Sequence, residues 1–359
     1  MIDNIKTVDW NVHTRNHPGM YIGKLGDGSL QDDGIYVLLK EVIDNCMDEF
    51  IRGYGKNIEI SIQEDKVTVR DYGRGIPLKI IVDCVSKFDI GIKFNDSTIG
   101  MNGVGAKAVN ALSSFFKVEC FVDGKRKSAE FSKGIKSVET NIEATKEPNG
   151  TCITFIPDKT LFINYHWHTE YIEKMMWNYV YLNEGLTISC NGQKFFSKNG
   201  LLDLINNVSN DVLYLPIHLK ENDFECALVH TNRNGEEYYS FVNKQYTVYG
   251  GTHQQAFREA IVKAVQKFFN KKFDPKDVRN SMVATISIRV KYASFDSQTK
   301  TKLCSQHIEP GGQTIRKYII DMIANLLGKY LHMNPDVADV ILGKILESEK
   351  ERNGVNPIA

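Results

Sequence analysis

The chain has 359 residues, more than one hydrophobic core usually holds, so two domains are the starting expectation. It is 42% hydrophobic and 25% charged, with no apolar run long enough to span a bilayer and no secretory signal pattern over residues 1–10, which sets aside membrane and exported proteins in favour of the cytoplasm. Lys plus Arg equals Asp plus Glu at 44 each, so net charge argues neither for nor against a nucleic-acid partner, and the seven cysteines, scattered without zinc-ligand spacing, read as reduced thiols.

Residues 35–53 carry a helical period. Ile58, Ile60 and Ile62 then alternate with polar residues, a Glu-Asp turn follows, and Val67 and Val69 alternate again, a hairpin whose second strand runs out at Asp71. A Gly-rich segment leads into helical spacing over 106–116, then strand-like stretches at 117–122 and 151–156. This half reads as mixed α/β. An amphipathic stretch at 201–208 precedes strand-like runs at 225–230 and 238–242, a helix over 253–269, a strand over 284–292 and two helices over 314–331 and 335–350. The domains are expected at 1–209 and 210–359, and the polar end from Asn353 is expected to fray.

Three segments carry candidate chemistry. On the first helix, Leu39, Val42, Ile43, Cys46, Met47 and Phe50 form an apolar stripe, while Glu41 and Asn45 share another face, about 6 Å apart along the axis. A carboxylate beside an amide oxygen suits a water-activating base next to a hard-cation ligand, although taken alone the pair reads as a solvated polar face. Next, Asp71-Tyr72-Gly73-Arg74-Gly75-Ile76-Pro77 follows a strand directly. An acid there can accept from an exocyclic amine while glycines bring the backbone against a flat base, or the segment is a plain strand-ending turn in which Arg74 pairs with Glu49. Last, Gly100-Met101-Asn102-Gly103-Val104-Gly105 opens a helix, an arrangement that favours anions. It is not a Walker A loop, because Ala106 stands where the lysine belongs. A dinucleotide fingerprint needs a buried strand before the first glycine, and residues 94–101 are polar and turn-like.

In this order the three segments resemble the GHKL ATPase family, which includes type II topoisomerases, Hsp90, MutL and histidine kinases. The wording of His17-Pro18-Gly19-Met20-Tyr21-Ile22-Gly23, Glu41-Val42-Ile43-Asp44-Asn45, Gly73-Arg74-Gly75-Ile76-Pro77, Val109-Asn110-Ala111-Leu112-Ser113, Gly250-Gly251-Thr252-His253 and Ser297-Gln298-Thr299-Lys300 is similar to the B subunits of bacterial type IIA topoisomerases, topoisomerase IV and gyrase. The resemblance implies a GHKL (Bergerat) domain, an α/β sandwich with a mixed sheet and helices on one face, followed by a transducer domain of the ribosomal S5 type that ends in long helices.

By the same resemblance Glu41 is the general base and Asn45 the magnesium ligand. Asp71 and Thr151 bind the adenine end of ATP, and Arg74, Gly75 and Pro77 line the base pocket beside Val42 and Ile153. Lys93, Gly100, Asn102, Gly103, Val104 and Gly105 surround the triphosphate, and Gln298 and Lys300 reach the terminal phosphate. ATP-driven homodimerisation with an arm at residues 1–11, a topoisomerase A subunit and double-stranded DNA are the implied partners. The short lid and the Asn102 to Lys107 run lean toward the eukaryotic wording. Neither a DNA-cleaving tyrosine domain nor a TOPRIM acidic cluster is found, so the chain is expected to be an N-terminal part. A MutL-like ATPase and a nucleotide-gated clamp that does not turn over are the competing readings. The stripe Lys263, Lys267, Lys271 reads as a solvated helix face or as the lining of a DNA-accepting cavity.

Overall fold

The computed structural model describes residues 9–87, 104–297 and 299–354. Lys93, Gly100, Asn102, Gly103, Gln298 and residues 1–8 of the expected arm lie outside them. The chain divides into two compact units after Ser197.

The first unit begins with α1 (Trp10–Asn16), α2 (Gly19–Ile22) and α3 (Gly34–Ile51), then β1 (Asn57–Gln63), β2 (Lys66–Asp71), α4 (Ile81–Ser86) and α5 (Gly105–Ala111). It continues with β3 (Ser113–Val122), β4 (Lys125–Ser132), β5 (Ile135–Glu139), β6 (Glu143–Ala144), β7 (Gly150–Pro157), α6 (Thr169–Tyr181), β8 (Thr187–Cys190) and β9 (Gln193–Phe196). Among the described residues these strands form one mixed sheet in the order β5-β4-β3-β7-β2-β1-β8-β9, with β6 beside β4. The β1 to β8 pairing is parallel and the β1 to β2 hairpin antiparallel.

The pleat sorts the side chains. Ile58 and Ile60 of β1, Val67 and Val69 of β2, Phe116 and Val118 of β3, and Ile153 and Phe155 of β7 share one core with Leu39, Val42, Ile43 and Met47 of α3. Off that core, Thr68 bonds Thr154, and Lys117 pairs with Glu119 and Glu130. The helical spacing read over 106–116 ends early. Helix α5 stops at Ala111, and β3 takes the chain from Ser113, because Phe115 and Phe116 pair with Ile156 and Phe155 of β7.

The second unit contains α7 (Leu201–Val208), β10 (Ile217–Glu221), β11 (Phe224–His230), β12 (Glu236–Val242), β13 (Gln245–Tyr246), α8 (Thr252–Phe269), α9 (Pro275–Arg279), β14 (Met282–Ile288), α10 (Ile315–Met333) and α11 (Pro335–Arg352). Its sheet runs β10-β11-β14-β12-β13, with β12 parallel to β14. Helix α7 carries Ile205 into the same core as Cys226, Leu228 and Ile286, so the division falls before α7 and not near Asn210. The strand expected over 284–292 is shorter. Past Ile288 the Asn243 side chain takes both backbone groups of Val290, accepting from its N–H and donating to its carbonyl at 2.8 Å each, where a ladder would otherwise continue. On α8, Ala256, Ala260 and Ala264 recur every fourth residue and are buried; on α10 so do Ile319, Ile323, Leu327 and Leu331, and small against large lets the two helices pack closely.

Candidate nucleotide site

A cavity of about 670 Å³ opens in the first unit between α3, the turn after β2, the start of α5 and the β7 edge. Asn45, Asp71, Arg74, Gly75, Pro77, Gly105 and Thr151, all expected to touch a nucleotide, line it, and so do Val42 and Ile153. One wall is thus apolar and the other polar, the usual make-up of a small-molecule pocket.

Asp71 ends β2 and is 6% exposed. Its Oδ1 accepts the Gly73 amide at 2.8 Å and the Thr151 amide at 3.3 Å. Burial pushes its carboxyl above the ordinary carboxylate range, and the two amide bonds offset that only in part. A carboxylate buried on a cavity wall, with both amide bonds on Oδ1, can accept a further N–H donor.

Arg74 lines the cavity and is held by a carboxylate. Its Nε and Nη2 fork onto Glu49 of α3 at 3.0 and 2.7 Å, its own amide donates to Glu49 at 3.0 Å, and its guanidinium lies 4.5 Å from the Tyr54 ring centroid. Burial opposes the Glu49 charge, but the Arg74 bonds prevail and keep its carboxyl below the ordinary range.

Glu41 and Asn45 lie one turn apart on α3, and Asn45 is exposed on the cavity wall. Glu41 stands against the first residue of α5: a Cβ built on Gly105 would fall 1.9 Å from Oε2 of Glu41, so a larger residue there would displace the carboxylate. Val104 precedes it and caps α5, its carbonyl accepting from Ala108 at 2.9 Å. The neighbouring acid on α3, Asp44, turns the other way. It is 2% exposed and accepts from Lys40 and from the Tyr179 hydroxyl, each at 2.5 Å. Burial, followed by the Asp44 charge, pushes the Tyr179 phenol well up, so Tyr179 keeps its proton and donates.

Lys107 was not among the expected site residues. It lines the cavity at 1% exposure, two places after Gly105 on α5. The signal lay in the sequence, a lysine immediately after the Gly-Val-Gly-Ala run, but nothing local tells an inward from a solvated lysine. Cys46 and Cys84 also line the cavity. Lys300 belongs to the second unit, where it is 9% exposed, adopts φ +58° and donates its amide to Ser297 at 3.1 Å. Among the described residues no three His, Cys, Asp or Glu side chains cluster to hold a metal, and no helix is long and apolar enough to cross a membrane.

A mixed sheet covered by helices, with a polar-walled cavity between α3, the β2 end and α5, defines the class: residues 31–161 match the family described as histidine kinase-, DNA gyrase B-, and HSP90-like ATPase. Residues 171–356 match the family described as DNA gyrase B. The chain belongs to the DNA gyrase B family. It is 42% identical over 352 residues to the DNA topoisomerase 4 B subunit of Borreliella burgdorferi, covering 96% of this chain and 57% of that protein. It is 31% identical over 386 residues to the DNA gyrase B subunit of the same organism, covering 97% of this chain and 59% of that one. It thus spans less than two thirds of these relatives. Its fold matches the 43K ATPase domain of Thermus thermophilus gyrase B, solved with an aminocoumarin, with a TM-score of 0.73, 26% identity and 96% of each chain covered.

Proposed function

We propose that this chain is the ATP-binding and ATP-hydrolysing region of a type IIA topoisomerase B subunit. The observation that carries the reading is the contact of Glu41 with Gly105, which sets a carboxylate beside the start of the helix that follows the Gly-rich loop. In this reading the adenine amino group donates to Asp71, the base lies between Val42, Ile153 and Pro77, and the phosphates extend toward Gly105 and Lys107. Glu41 takes a proton from the water that attacks the terminal phosphorus as the bond to ADP breaks. Lys93 and the loop from Gly100 to Gly105 enclose the triphosphate, and Gln298 and Lys300 act on the terminal phosphate.

The donor set suits magnesium. Asn45 presents an amide oxygen to the cavity, and among the described residues no three carboxylate, His or Cys side chains gather there, which fits an ion that keeps waters and phosphate oxygens as most of its ligands. Bound there, magnesium would neutralise phosphate charge. Hydrolysis in this reading resets an ATP-driven homodimer that closes on a transported DNA duplex, in company with a topoisomerase A subunit. The seven unpaired cysteines suit a reducing cytoplasm.

The test is magnesium-dependent ATP hydrolysis by the chain and by Glu41→Ala, with dimerisation followed in a non-hydrolysable ATP analogue. Hydrolysis that survives Glu41→Ala undiminished overturns the role of Glu41, and analogue-driven dimerisation without any turnover by the unsubstituted chain favours a nucleotide-gated clamp.

A further inference from the structure

We infer that Asp296 and Gly251 are positioning residues for Lys300, holding its turn from two sides so that the lysine is in place for turnover. The inference rests on the reading of Lys300 as a group that acts on the terminal phosphate.

Lys300 sits in the left-handed region, unusual for a residue with a Cβ, so its turn needs bonds from outside itself. The first set comes from Asp296. Its carboxylate accepts from the Thr301 hydroxyl at 3.3 Å and from the Lys302 amide at 3.1 Å, and its own amide donates to the Lys302 carbonyl at 3.1 Å. These bonds tie the residues just after Lys300 back to the residue at the mouth of the turn. Below them the Ser294 carbonyl accepts from the Cys304 amide at 2.8 Å, closing the base.

The second set comes from the segment before α8, on the far side of the returning limb. Tyr249 donates its amide to the Thr301 carbonyl at 2.9 Å, the Leu303 amide donates to the Gly250 carbonyl at 3.0 Å, and the Thr252 amide donates to the Leu303 carbonyl at 3.2 Å. The Thr252 hydroxyl adds a bond to the Ser305 carbonyl at 2.7 Å. This close run of backbone against backbone requires glycine at 251, where φ is +135° and a Cβ would lie 2.4 Å from the Leu303 carbonyl oxygen and 2.6 Å from its nitrogen. Residues 301–303 are therefore held between the Asp296 carboxylate and the 249–252 segment, and Lys300 is joined directly to them. Both sets of bonds end on residues that only hold the turn, so their loss moves Lys300 without removing it.

The experiment measures kcat and KM for magnesium ATP in the purified chain and in Lys300→Ala, Asp296→Ala, Asp296→Asn and Gly251→Ala, with thermal melting of each. Asp296→Ala is expected to lower kcat about tenfold at near-constant KM, as displacement of a reacting group does. Asp296→Asn keeps an oxygen that accepts from Thr301 and Lys302 and is expected to restore most of the rate. In the Lys300→Ala background, Asp296→Ala is expected to add nothing, since both act on one step. If Gly251→Ala melts early, the Asp296 variants decide. Turnover in Lys300→Ala equal to that of the unsubstituted chain overturns the phosphate reading of Lys300 and this inference with it. A slow Lys300→Ala beside an undiminished Asp296→Ala, or an Asp296→Asn as slow as Asp296→Ala, overturns the positioning inference alone.

Discussion

The cavity wall of the first unit and the core of the second both bury titratable side chains, and their partners set them apart. In the second unit His230 is 2% exposed with both ring nitrogens engaged: Nδ1 faces the Tyr214 hydroxyl at 2.6 Å, and Nε2 donates to the Val278 carbonyl at 3.1 Å. That pairing fixes one neutral tautomer. Asp71, almost as deeply buried, has its two amides on one oxygen and faces a cavity. His230 is thus closed off by protein partners on both nitrogens, whereas Asp71 sits where a cavity can bring it a further donor. Asp44 repeats the first pattern within the first unit, one residue from Asn45 on α3.

The comparison can be broken at several points. The largest effect belongs to the cavity. Glu41→Ala should lower kcat by about two to four orders of magnitude, the usual range for a lost general base, with nucleotide binding retained, as steady-state kinetics and equilibrium titration will show. Gly105→Ala, which drives a methyl into the Glu41 carboxylate, should lower kcat in the same direction without removing an ionisable group.

The second effect belongs to the sealed core. Burial lowers the His230 pKa to about 4 and that of His253 to about 3, against an ordinary value of 6.5. Below pH 6.5 the unfolded chain binds protons that the folded histidines refuse. Stability is therefore fully present above pH 6.5 and lost as pH falls toward 4, by about 3 kcal/mol for His230. Urea midpoints measured from pH 7 to 4 check this, and His230→Gln should flatten the slope. A slope unchanged by that substitution would mean the ring is not held neutral by burial.

A smaller effect tests Asp71. Asp71→Asn should weaken ADP binding by about 2 kcal/mol, the scale of a hydrogen bond to a charged group, and leave the urea midpoint nearly unchanged, which calorimetry and unfolding can separate. The smallest effect is at the surface. Arg126 and Glu143 pair at 2.8 Å with about half of each side chain exposed, so Arg126→Ala should cost about 0.2 to 1 kcal/mol of stability by urea unfolding and nothing in turnover.

Much of the site was legible because its signals are local. The stripe of Leu39, Val42, Ile43, Cys46 and Met47 settles which way α3 faces, and with it that Glu41 and Asn45 point elsewhere together. The β1 to β2 alternation brings the chain to Asp71 at a strand end, and the glycines around it mark a turn. What stayed hidden depended on residues distant in sequence. Arg74 had two partners open to it, and the approach of α3 gave it Glu49. Phe115 and Phe116 satisfied a helical period, yet β7 lay beside them and drew them into a strand, shortening α5.

The sequence by itself determined the order of the elements and the residue types at the cavity, since helical and strand periods and turn chemistry are properties of neighbours along the chain. Only the tertiary structure decided which polar groups are sealed and which are left to a ligand. Lys107 and Asp44 look like ordinary surface charges in the sequence and are buried at 1% and 2% exposure. Exposure depends on which distant element arrives to cover a side chain, and no local pattern records that.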